Sequence, residues 1–82
     1  MRRMQGSVPR DDRNPVSIEA AVRLDGRSVP VTVVDVSRSG CNVRCLEALP
    51  IGEVVQLEIP AFQPQSASVR WSLGGRAGLR FV

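Results

Sequence analysis

From Val16 onward the chain alternates. Val16, Ile18, Ala20, Val22 and Leu24 fall on one side of an extended segment and Ser17, Glu19, Ala21 and Arg23 on the other, which is the period-two pattern of a strand with one buried face. Asp25-Gly26-Arg27 supplies a turn. Val29 to Val36 then follows with a β-branched majority and an apolar face of Val29, Val31 and Val33, so the first two strands are expected to form a hairpin. Ser37-Arg38-Ser39-Gly40 breaks the run, and alternation resumes with Cys41, Val43 and Cys45. Leu46 to Gly52, with Pro50 inside, reads as a connection, and Val54 to Ile59 as a strand with Val55, Leu57 and Ile59 on one face. Pro60 to Pro64 is too proline-bounded for regular structure.

The last segment carries a register argument. Ala67, Val69, Trp71 and Leu73 form one apolar set and Ala77, Leu79 and Phe81 another, separated by Gly74-Gly75-Arg76. A two-residue turn at the glycines would set Arg80 against Val69, apolar against polar. A three-residue loop instead pairs Leu73 with Ala77, Trp71 with Leu79 and Val69 with Phe81, and this places Trp71 and Phe81 in the core. No segment shows a helical period and no unit repeats. The fold expected is all-β: a small six-stranded antiparallel barrel, since closure removes exposed edges. Residues 1–15 are polar and hold Gly6, Pro9 and Pro15, so they read as a flexible N-terminal arm, with the barrel at 16–82.

Composition narrows the chemistry. The chain has 82 residues, enough for one domain, and it lacks His, Lys and Tyr. Imidazole bases, Schiff-base lysines and phenol acids are therefore missing, and an enzyme is not expected. Cys41 and Cys45 have no His or third Cys to complete a metal site. In an extended strand their α-carbons stand about 13 Å apart, beyond disulfide reach, so they read as core residues. All eleven cations are Arg, yet the net charge is only +3, spread over both halves. That charge fits a small anion better than a polynucleotide, which needs clustered phosphate contacts, and the three aromatic residues offer few stacking platforms. No apolar run suits a membrane span and Met1 to Arg13 has no signal-peptide core, so a cytoplasmic location is expected.

The most informative stretch is Val34-Asp35-Val36-Ser37-Arg38-Ser39-Gly40, with a carboxylate, a hydroxyl and a glycine spaced as Asp-x-Ser-x-x-Gly at a strand end. A carboxylate can accept paired hydrogen bonds from the N1 and N2 side of guanine, the hydroxyl can donate or accept, and glycine admits close approach to an anion. A turn in which Asp35 and Ser37 cap local amides is the plainer reading. Taken with the arginines of the arm and the ending Ala67-Ser68-Val69-Arg70-Trp71-Ser72 … Ala77-Gly78-Leu79-Arg80-Phe81, the chain resembles the PilZ domain family over about residues 10–82.

The resemblance implies a small barrel that binds the bacterial second messenger cyclic di-GMP, without a catalytic role or a further cofactor. Arg10 and Arg13 of the arm would grip phosphates and a guanine edge, while Asp35, Ser37 and Gly40 read the other guanine. Ligand ordering the arm against the barrel would signal to a downstream protein partner. The arm departs from the family's RxxxR pattern, because Arg10-Asp11-Asp12-Arg13 has two residues between its arginines and Pro9 stands where the first would fall. The alternative is a barrel that has lost the nucleotide and acts on protein partners alone. The sequence ends at Val82 without the C-terminal helix that family members often carry, so an exposed apolar patch is expected there.

Overall fold

The computed structural model describes residues 13–82. Six strands follow one another, β1 (Asn14–Leu24), β2 (Arg27–Val36), β3 (Gly40–Arg44), β4 (Val54–Glu58), β5 (Gln65–Leu73) and β6 (Arg76–Phe81). They close into an antiparallel barrel in the order β1-β2-β3-β6-β5-β4. The alternation explains the closure: each strand has one apolar face, and joining β4 to β1 points all six faces at a common interior. Val22, Val33, Val43, Val55, Leu57 and Val69 are fully buried there. Cys41 and Cys45 are buried free thiols, as their spacing implies. Leu49, in the connection after β3, is also buried, and its backbone N–H donates to Ser72 Oγ at 2.9 Å. It caps one end of the core.

Strand β1 begins at Asn14, two residues before the expected boundary, so Asn14 and Pro15 belong to the barrel wall. The remainder of the expected arm, residues 1–12 with Arg10, lies outside the described residues. Asp25 and Gly26 both take positive φ, 51° and 77°, and connect β1 to β2 as a two-residue turn with Leu24 opposite Arg27. Among the described residues no helix is long and apolar enough to cross a membrane.

The β5–β6 register differs from expectation. Gly74 and Gly75 form a two-residue turn with positive φ, and Leu73 stands opposite Arg76. The polar-apolar conflict that a three-residue loop was to relieve is relieved elsewhere. Val69 pairs with Leu79 and Trp71 with Gly78, so Arg70 is an extra residue bulged out of β5. Below the bulge Ala67 and Val69 face Phe81 and Leu79 inside; above it Trp71 and Leu73 turn outward. Trp71 is 42% exposed rather than in the core, while Phe81 remains half-buried against it.

Candidate ligand-binding site

A second bulge lies on the other side of β3 and β6. Val29, Val31 and Val33 point inward, and uninterrupted alternation would bring Asp35 into the core with them. Val33 instead stands opposite Val43 and Asp35 opposite Asn42, which leaves Val34 as an extra residue in β2. The bulge turns Asp35 outward and returns Val36 to the core side.

Two bulges thus bring two side chains onto one outer face. Asp35 stands opposite Asn42, Asn42 opposite Gly78, and Gly78 opposite Trp71. This is a single row across β2, β3, β6 and β5, and at the usual strand spacing it spans about 14 Å. The indole lies on Gly78: a Cβ built there would fall 2.1 Å from Trp71 Nε1. Glycine at that position lets the ring lie flat against the sheet. Beside the row opens a cavity of about 230 Å³, whose walls include Arg13, Asn42, Arg70, Trp71, Gly78 and Arg80. Three arginines, an amide and an aromatic face converge there, a set suited to a planar, hydrogen-bonding, anionic molecule.

The residues singled out from sequence take different places. Asp35 accepts from Asn42 Nδ2 at 3.0 and 3.2 Å, one bond to each carboxylate oxygen, and from Arg13 at 3.0 Å. Arg13 and Asp35 therefore meet, 22 positions apart in sequence. Ser37 is buried, and its hydroxyl serves the loop itself: Oγ accepts from Ser39 N–H and donates to the Gly40 carbonyl oxygen, each at 3.3 Å. Gly40 sits where β3 presses on β6, and a Cβ there would fall 2.0 Å from the Leu79 carbonyl oxygen. Ser37 and Gly40 hold the loop's shape. Asp35 faces the outer surface, and Gly40 also lines the cavity wall.

Under this face the Cys41 thiol is pushed up to about 11, first by burial and then by the nearby Asp35 carboxylate, with Arg13 opposing. It is a protonated wall atom at neutral pH. Five residues of the site, Asn42, Arg70, Trp71, Gly78 and Arg80, were not among the site residues expected from the sequence. Asn42 could have been found by its outward phase between Cys41 and Val43, whereas Trp71 was hidden by the bulge.

The sequence model of the PilZ domain family matches residues 8–82. The chain belongs to the PilZ domain family. PilZ domains are binding modules, generally for cyclic di-GMP. No curated protein matches the chain. The PilZ assignment extends over β2 and β5 with their bulges, the Asp35 loop and Trp71, and its first matched residues include Arg10.

Proposed function

We propose that this PilZ domain is a non-enzymatic receptor for cyclic di-GMP and that Trp71 and Asp35, at opposite ends of the outer row, serve its two bases. One guanine stacks on the indole. Asp35 accepts from the N1 and N2 edge of the other, and Arg13, Arg70 and Arg80 take phosphate oxygens. The observation that supports this reading most is the pair of bulges, since each moves one ligand-competent side chain from the barrel interior to the same face.

Magnitudes favour an exposed, partly covered ligand. The cavity of about 230 Å³ is smaller than the roughly 300–1,000 Å³ of pockets that enclose drug-sized molecules. It suits one base and its phosphate, and the segment holding Arg10 closes over the remainder on binding. That closure is what a downstream protein partner reads. Arg13 must leave Asp35 for a phosphate, which is cheap, because an exposed ion pair contributes about 0–1 kcal/mol.

Calorimetric titration with cyclic di-GMP tests the proposal. Binding is expected with one or two nucleotides per chain, and Asp35→Ala, Arg13→Ala and Trp71→Ala are each expected to weaken it at least tenfold. The absence of heat at millimolar ligand would sink it. A second reading, an adaptor that contacts proteins without nucleotide, is favoured by the two-residue Arg10 to Arg13 spacing and by the carboxylate partner Arg13 already has. Inserting one residue between Asp12 and Arg13 separates the two: binding that appears only after insertion identifies the adaptor.

A further inference from the structure

One row further along the same strands, two residues past Asn42 and before Gly78, Arg44 and Arg76 stand directly opposite each other, both exposed. Leu73 continues the row on β5, opposite Arg76 and 79% exposed. Leu46, two residues after Arg44, is fully exposed at 103%. The backbone N–H of Cys45 donates to the Gly75 carbonyl oxygen at 2.8 Å, which holds the start of that connection against the turn between Leu73 and Arg76. The four side chains therefore emerge from neighbouring backbone.

Folding does not explain this arrangement. Like charges directly opposite on an antiparallel pair are destabilising. Nor are the two guanidiniums neutralised: among the described residues neither Arg44 nor Arg76 belongs to an ion pair. Glu47, next to Leu46, is engaged by Arg27, whose hydrogen bonds hold its carboxyl below the usual value. Glu19 shares the row two strands from Arg44, beyond Thr32, with the two α-carbons about 10 Å apart, and forms no ion pair with it although both line one cavity. The result is a pair of adjacent guanidiniums bordered by two exposed leucines, with Glu19 and the Arg27-engaged Glu47 lining the surface on the Arg44 side only.

We propose that Arg44, Arg76, Leu46 and Leu73 form a docking surface for a protein partner that presents a carboxylate flanked by bulky apolar side chains. Guanidinium forks suit that carboxylate because they are planar and weakly hydrated. The leucines supply the apolar area that makes a short segment adhere. Nucleic acid fits less well, since the row has no aromatic ring to stack a base. The surface adjoins the nucleotide cavity but shares none of these four residues with it, so its occupation does not require the nucleotide reading to hold.

Selection of a random dodecapeptide display library on the immobilised full chain tests the proposal, with the Arg44→Glu/Arg76→Glu variant as a parallel bait. Enriched peptides are expected to carry Asp or Glu beside Leu, Ile, Met or Phe. Their affinity should fall at least tenfold on the double variant and several-fold on Leu73→Ser. Enrichment of acid-free peptides, no enrichment, or equal capture by the double variant overturns the proposal. So does oligothymidylate binding more tightly than the peptides at the same arginines, or self-association of the wild-type chain that the double variant abolishes. Arg44→Glu alone converts the like pair to an opposite pair and is expected to raise Tm by a few degrees. A Tm of the double variant matching the parent's separates lost docking from lost fold, and a lowered Tm for Arg44→Glu alone removes the premise.

Discussion

A Cβ on Gly40 would stand 2.0 Å from one backbone oxygen and 3.0 Å from the Arg80 α-carbon, and backbone cannot swing aside as a side chain can. Gly40→Ala is therefore expected to cost about 3 kcal/mol and to lower Tm by more than about 10 °C in a domain of this size. A Tm within 2 °C of the parent would show that β3 and β6 can separate freely there. Cys41 gives a second check. The native thiol keeps its proton up to about pH 11, while the unfolded chain releases it near 9. Its contribution to stability is thus complete below about pH 9 and declines as the pH rises toward 11. The chain has no Lys or Tyr to titrate in that window, so denaturant unfolding of the Cys45→Ser variant at pH 8 and 10.5 isolates it, and equal stabilities would contradict the burial. At this scale the sequence was informative about type and less so about task. Asp35, Ser37 and Gly40 were legible as a motif, but only Asp35 presents its side chain outward on the row. That division depends on which way a strand turns, and spacing alone does not carry it.

The strands themselves were legible because every one has an apolar face of period two, and their ends shifted by only a residue or two. What alternation cannot show is an extra residue. A bulge at Val34 or Arg70 leaves no mark in composition, since either residue is ordinary in a regular strand; it is felt only when the parity of the segment beyond it is wrong. The conflict between Arg80 and Val69 is such a signal, but the sequence expectation met it with an extra loop residue, whereas the chain meets it with a bulge at Arg70. Both glycines at that turn take positive φ, which is the backbone twist a two-residue hairpin prefers. The barrel also has a weakest seam. Strands β1 and β4 are in register only from Ala21 to Arg23, whereas β1 and β2 pair along nearly their whole length. Native-state hydrogen exchange is expected to show the β1–β4 amides opening at lower free energy than those between β1 and β2. Equal protection on both sides of β1 would count against that ranking.

For the molecule as a whole, closure leaves the interior to side chains, so any ligand must be met on the outside of the wall. The modest charge of +3 is consistent with this: it is spread over the sequence, yet the barrel gathers Arg13, Arg70 and Arg80 around one cavity and Arg44 with Arg76 beside it. Sequence distance hid both groupings, because β3 lies next to β6 and not β4. Trp71 adds one more consequence. It is the chain's only tryptophan, and the Arg70 bulge has moved it out of the core to the cavity wall. The domain therefore carries an optical probe whose emission reads occupancy at one place. Cyclic di-GMP stacking on the ring is expected to quench that emission in a saturable titration, with a midpoint matching the calorimetric one. Gly78→Ala, which displaces the indole, should shift the unliganded spectrum to longer wavelength. A spectrum indifferent to saturating nucleotide would mean that the base lies elsewhere on the wall.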